Sequence, residues 1–288
     1  MNTRRLVALV LSCAAGLLVC APAAHAQAAA GTVTKTSGTV TATLNWKASA
    51  KGQYGVSAPT LTISRGGVVT STLDVSDVCK PDGCLLVPDD KANPKDDYSI
   101  LHVADLDGDG EPEVMFDTFS GGAHCCIVQR IYAYRPATNS YRRVLSQYWG
   151  NGSYFVKDLG TDGIPELSGS DDSFAYAFAS YASSARPPLV LSYSFDQATG
   201  KATLTNVTRK YPAVIRSDAA ALLKEIRKSN PDTLYEVDGL LAAYVADQYL
   251  LGKGAVGRAE IARARKRKLT APGFEKDLLK FLKQTGYR

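Results

Sequence analysis

The sequence predicts a mainly β protein with a C-terminal α-helical region. Three observations carry this reading. Residues 27–97 alternate apolar and polar positions with the two-residue period of a half-buried strand. Residues 98–215 repeat an acidic loop at an offset of 53 residues, from Asp105 to Asp158. Beyond Ser217 the apolar positions recur every three to four residues, the period of a helix.

The N-terminal β region reads as short strands joined by tight turns. Val40-Thr-Ala-Thr-Leu44 alternates, as does Leu61-Thr-Ile63. Gly66-Gly67 then makes a turn before Val68-Val69-Thr-Ser-Thr-Leu73. In the repeat region each acidic loop is preceded by an apolar strand, Ile100–Val103 or Tyr154–Val156. Each is followed by a Tyr-bearing strand, Ile131–Tyr134 or Leu189–Tyr193, and then by a turn and a further strand. A unit of four antiparallel strands in 50–60 residues has the size of a propeller blade. Residues 31–215 hold between three and four such units, so a complete seven-bladed ring cannot close within the chain. Residues 217–288 read as three or four helices, with Val237, Leu240, Leu241, Tyr244 and Val245 forming one apolar stripe and Phe274, Leu278, Phe281 and Leu282 another.

Residues 1–26 have the layout of a secretory signal peptide. Arg4 and Arg5 precede a 15-residue apolar run, and Ala24-His25-Ala26 provides small residues for cleavage. The run is shorter than the ~20 residues that span a bilayer. The expectation is an exported chain, periplasmic or extracellular, with no transmembrane span after cleavage. The net charge of +5 over 288 residues is too small to point to nucleic acid, and export argues the same way. The mature chain keeps Cys79, Cys84, Cys125 and Cys126, an even set in an oxidising compartment, so disulfides are expected. Connectivity stays open. A local Cys79–Cys84 bridge would leave Cys125 and Cys126 as a vicinal pair; otherwise both of these staple to the 79–84 loop. Gly121-Gly-Ala-His124-Cys-Cys126 also presents a soft-metal or Cys–His nucleophile arrangement, which a disulfide would disable.

The acidic loop is the strongest chemical signal. Asp105, Asp107 and Asp109 stand at positions 1, 3 and 5, Gly110 at position 6 and Glu113 at position 9. Glu111 at position 7 offers its backbone carbonyl. Alternate carboxylates on a tight loop repel each other unless a hard, oxygen-seeking cation lies between them, and Ca2+ fits that need. Phe116 stands where an EF-hand needs a bidentate Glu, so the loop is not an EF-hand. The second loop keeps Asp158, Asp162 and Glu166 but has Gly160 at position 3, one carboxylate fewer.

At these residues the chain resembles the FG-GAP or VCBS-type repeats of integrin alpha-chain propellers and of bacterial exported proteins. The Gly-Gly-Ala-His-Cys-Cys segment is similar to one found in exported bacterial proteins with such loops. The resemblance implies loops that connect blade strands and hold structural calcium.

Two further features bear on function. Phe174, Tyr176 and Phe178 alternate as on a strand, while Phe174, Phe178 and Tyr181 fit one helical face; they read as core or as an aromatic platform. Arg263, Arg265, Lys266, Arg267 and Lys268 form a basic run in a tail that carries 11 Lys and Arg against 3 Asp and Glu from Gly252 onward. The expected function is a calcium-binding binding or envelope-interaction module, whose partner is an anionic envelope polymer, a lipid surface or a protein. A secreted hydrolase with its site between the β module and the helices is the alternative.

Overall fold

The computed structural model describes residues 30–48, 56–79, 85–86, 100–119, 126–150, 152 and 154–288. The leader reading of residues 1–26 lies outside these residues, as do Cys84, His124 and Cys125.

Three antiparallel sheets and four helices make up the described chain. The first sheet runs in chain order through β1 (Gly31–Ser37), β2 (Val40–Ala48), β3 (Val56–Arg65) and β4 (Val68–Asp74). Gly66 and Gly67 both have positive φ, 56° and 81°, and join β3 to β4 in a two-residue turn whose twist matches the strands. Val40, Ala42, Leu44, Leu61 and Ile63 point inward. On the other face the hydroxyls of Thr34 and Thr43 pair at 3.0 Å and those of Thr36 and Thr41 at 2.9 Å.

The second sheet contains β5 (Leu85–Leu86), β6 (Leu101–Ala104), β7 (Glu113–Phe119), β8 (Ile127–Arg135) and β9 (Ser140–Gly150). Both β5 and β6 pair with β7. The third contains β10 (Phe155–Lys157), β11 (Glu166–Ser170), β12 (Pro188–Asp196) and β13 (Lys201–Asn206), again in chain order. The second sheet is covered on both faces. Val114, Phe116, Tyr132, Tyr134 and Tyr141 share a core with Val40, Leu44, Leu61 and Ile63 of the first sheet. Met115, Ile131 and Trp149 share another with Leu167, Leu191 and Tyr193 of the third. Strand residues alternate between faces, so a strand buried on both reads as an unbroken buried run, as β7 does from Glu113 to Thr118.

The helices are α1 (Pro212–Lys228), α2 (Leu234–Leu250), α3 (Gly254–Lys266) and α4 (Phe274–Gln284). Helix α1 starts ahead of the Ser217 boundary read from the sequence, with Pro212 at its first turn, where a missing N–H costs nothing. Helix α2 is central. Val237, Leu241, Tyr244 and Val245 are buried, and so are Ala242, Ala243 and Ala246 around the rest of its circumference. Three helices end in the same left-handed hydrogen-bonded turn. The N–H of Lys253 reaches the carbonyl of Gln248, Leu269 reaches Ala264, and Tyr287 reaches Leu282. The left-handed residue is Gly252, Lys268 and Gly286 respectively, with φ of 72°, 58° and 80°.

The helices dock on the third sheet through the segment after β11. Phe174 packs edge-on against Phe281 and Tyr287, and Phe178 against Phe274 and Phe281. These aromatics lie in 3-10 turns and irregular backbone, neither the strand nor the helix that their spacing allowed. Phe174 is core, whereas Tyr176 is 60% exposed and tilted against Tyr181. The Tyr287 hydroxyl donates to Asp171 at 2.8 Å, and the Arg209 guanidinium donates to the carbonyls of Tyr249, Leu250 and Tyr287. No helix of the described residues is long and apolar enough to cross a membrane.

Candidate metal loop and basic helical region

The first acidic loop connects β6 to β7 at the junction of the second and third sheets. Leu106, at position 2, is 1% exposed and anchors the loop in the core between those sheets. Asp105 caps the turn, its carboxylate accepting from the N–H of Gly108 at 2.8 Å and Gly110 at 2.9 Å. Asp107 and Asp109 each accept from the N–H two residues on, at 3.4 and 2.8 Å. The backbone N–H of Phe195 on β12 is near enough to favour the ionised form of Asp107. Gly108 and Gly110 have φ of 75° and 86°, which the sharp turn requires.

This folding places one oxygen from each of Asp105, Asp107 and Asp109 within 4.8 Å of one another. Burial raises the pKa of Asp107, and the charges of Asp109 and Asp105 add to the rise. The Tyr193 hydroxyl of β12 is buried and has no hydrogen-bond partner among the described residues. It feels Glu113, Asp107 and Asp109. The donor set of three converging carboxylates with no cation bonded between them suits a hard divalent ion.

Glu113 is placed differently. Its side chain is 2% exposed and accepts from the Leu106 N–H at 2.9 Å, so it braces the loop from behind. Burial pushes its pKa up to about 9. The Glu111 carboxylate pairs with Arg65 of β3, with Arg65 Nε at 2.8 Å, which leaves its backbone carbonyl as the ligand on offer.

The second loop, between β10 and β11, reproduces the frame. Asp158 accepts from Gly163 at 2.9 Å, as Asp105 does from Gly110, and Glu166 accepts from Leu159 at 3.0 Å, as Glu113 does from Leu106. Glu166 also accepts from the Tyr211 hydroxyl. Asp162 turns to the N–H of Ile164 at 3.1 Å, and Gly160 lies beside it without a carboxylate of its own. The convergent group described for the first loop has no counterpart here among the described residues.

The helical region decides the comparison with known proteins. Its four helices bury a core of their own, centred on α2. Residues 215–286 match the family described as the sll0997 C-terminal domain. Over 215 residues, 74% of the chain, the sequence is 25% identical to a Synechocystis protein named "Probable thylakoid lumen protein sll0997", of which 57% is covered. Over 143 residues, half of the chain, it is 27% identical to "Uncharacterized protein y4bJ" of Sinorhizobium fredii, of which 21% is covered. The chain thus spans less than two thirds of the length of either relative. No solved structure matches it.

These matches overturn the resemblance to FG-GAP or VCBS-type repeats. The family that matches is the sll0997 C-terminal domain, in the region where the acidic repeat is absent, and the Synechocystis relative is named a probable thylakoid lumen protein. The physical reason is that the resemblance rested on short loops. A turn that gathers carboxylates needs only a few Asp and Gly residues, and unrelated strands can carry it.

Within the matched region the basic run divides by role. Arg263 pairs with Glu260 at 2.6 Å and Arg265 with Glu275 at 3.3 Å. Arg267 donates to the carbonyls of Ile226, Arg227 and Ser229, which closes the C-terminus of α1. Lys266 and Lys268 are exposed. A cavity of about 690 Å³ opens between α3 and α4, with Arg265, Lys268 and Lys276 beside Pro272 and Phe274. The capping role of Arg267 was not readable from the run, because its acceptors lie some forty residues away.

The cysteine readings are reached only in part. Cys126 is disulfide-bonded, and its thiol-derived sulfur lies 2.6 Å from the Tyr148 hydroxyl. Cys79 ends a 3-10 turn. The pairing, and the His124 arrangement, lie outside the described residues. A buried polar network around Asp117 and Gln129 was missed by the sequence reading. The Tyr154 hydroxyl donates to Asp117 at 3.0 Å, and Trp149 donates to Gln129 at 3.0 Å. Burial raises the Asp117 pKa well above the usual carboxylate range.

Proposed function

We propose that this is an exported binding module, acting at an anionic envelope surface, whose β portion is braced by calcium in the loop of Asp105, Asp107 and Asp109. The observation that carries the metal reading is the convergence of those three carboxylates at a sheet junction, beside the unpartnered Tyr193 hydroxyl. Ca2+ would take the three carboxylates and the Glu111 carbonyl, while Asp158 and Asp162 would give a weaker second site, with Glu166 bracing it as Glu113 braces the first. The metal would be structural. It would relieve the mutual repulsion of the Asp residues and tie β6 and β7 to β12 through Asp107.

Export is supported by the leader-like residues 1–26 and by similarity to a protein named for the thylakoid lumen. The three stacked antiparallel sheets, two of four strands and one of five, support a blade-like arrangement of an incomplete ring. The exposed Lys266 and Lys268, with the cavity flanked by Arg265 and Lys276, support an anionic partner.

Thermal unfolding in calcium and in chelator tests the brace. At a hundredfold excess over its dissociation constant, a ligand of the native state alone contributes about 2.7 kcal/mol. Asp107→Asn should remove most of the calcium-dependent rise in Tm. Identical melting in calcium and chelator would refute the metal reading.

A further inference from the structure

Two carboxyl groups meet inside the helical unit with no basic side chain bonded to either among the described residues. Asp247 lies on α2 with 0% exposure, and both of its carboxyl oxygens lack a donor. Asp218 lies on the facing side of α1, and its Oδ2 is likewise buried without a donor. The two side chains are nevertheless within hydrogen-bonding reach of each other. Two carboxylates cannot bond, since each only accepts; a carboxylic acid and a carboxylate can.

We propose that Asp218 and Asp247 share a proton across the α1–α2 interface, and that this proton is a pH-sensitive clasp between the two helices. The surroundings leave little alternative. From α2 itself the neighbouring titratable group is Tyr244, which feels Asp247. From the C-terminal turn comes Tyr287, whose hydroxyl is bonded to Asp171. Arg209 is the cation on this side, and its guanidinium is spent on the carbonyls of Tyr249, Leu250 and Tyr287. Helix α3 approaches with Gly257 against Val245 and Gln248; its Glu260 and Arg263, which pair with each other, act on Tyr244, as does Arg227 of α1.

The direction of the switch follows from linkage. Burial, with Asp218 beside it, pushes the Asp247 pKa up to about 9, and burial raises that of Asp218 too. The folded state therefore holds a proton that the unfolded state gives up near pH 4. Stability from the clasp is complete below that value and is lost as pH rises toward 9, by about tenfold in the folded-to-unfolded ratio per pH unit. Glu113, Asp117 and Asp238 have the same sign, so a variant must be compared with its parent at each pH.

Asp247→Asn supplies a permanent donor to Asp218. Urea unfolding of the full chain at pH 5, 7 and 8.5 should show the variant gaining on the parent by about tenfold or more between the lowest and highest pH. Parallel pH profiles for variant and parent would overturn the clasp. Carboxyl carbon NMR of the unmodified protein gives a second reading that does not depend on the variant folding. With the resonances of Asp218 and Asp247 assigned, one of the two should remain protonated at pH 7, and ionised resonances for both at that pH would defeat the proposal.

Discussion

Gly108 of the first acidic loop lies against Ile164 of the second: a Cβ placed on the glycine would sit 2.7 Å from the Ile164 Cδ1. The two loops are therefore in contact as well as alike in sequence. Leu106 reaches into the core beneath, so the junction of the second and third sheets is held at the loops as well as by the core.

Gly108→Ala should destabilise the fold on two counts. The residue has φ of 75°, which a Cβ disfavours, and the new methyl would press on Ile164. A loss of about 1–3 kcal/mol is expected in urea unfolding. Gly110→Ala has the positive φ of 86° with open space around it, so it should cost less than Gly108→Ala. Equal losses would show that the contact between loops contributes nothing.

Tyr154→Phe removes the described donor to Asp117, whose Oδ2 already has no partner. Leaving a buried polar group without its donor costs about 1–3 kcal/mol. Since the folded Asp117 is held protonated by burial, its contribution is complete below the ordinary carboxylate value and falls as pH rises. Asp117→Asn should flatten that part of the pH dependence, read from chemical denaturation at pH 5 and pH 8. A parent and variant that respond alike to pH would show that Asp117 is ionised in the fold.

What was legible in the sequence was local. The alternation of Val40, Ala42 and Leu44 and the paired glycines at 66–67 placed the first sheet, and the Asp105 and Asp158 repeats located both loops. The stripe of Val237, Leu241 and Tyr244 located the central helix. What was not legible depends on partners distant in sequence. Period two cannot say that the second sheet would be covered on both faces, since that needs the first and third sheets in place. Asp247 carries no signal in the sequence, and only the approach of Asp218 gives it a role. Phe174 and Tyr176 are two residues apart yet one is core and the other exposed, because their backbone follows neither regular period.

Lys268→Gly should stabilise the protein. The position ends α3 in the left-handed conformation that glycine fills at Gly252 and Gly286 in the equivalent turns of α2 and α4. Relief of the Cβ conflict outweighs the greater freedom of glycine in the unfolded chain, for a gain of roughly 0.5–1 kcal/mol. Thermal melting would show a small upward shift; a lower Tm would mean that the lysine stem packs more than its backbone conformation costs.

Arg267 and Lys266 are adjacent in the basic run but should respond in opposite ways to removal. Arg267 reaches the carbonyls of Ile226, Arg227 and Ser229, at 3.4, 3.3 and 2.6 Å, and so ties the end of α3 to the end of α1. A guanidinium also offsets the negative end of the helix dipole there. Arg267→Ala should cost about 1–3 kcal/mol, the range of charge-assisted hydrogen bonds. Lys266 is exposed, and Lys266→Ala should change stability by less than about 0.5 kcal/mol. Its effect belongs to binding: adhesion to anionic vesicles should weaken in Lys266→Ala and should fall further as salt shortens the Debye length below ~8 Å. Co-sedimentation with vesicles, beside urea unfolding, separates the two roles. If Lys266→Ala sediments as the parent does across the salt series, the run acts only within the fold, and Arg267 accounts for it.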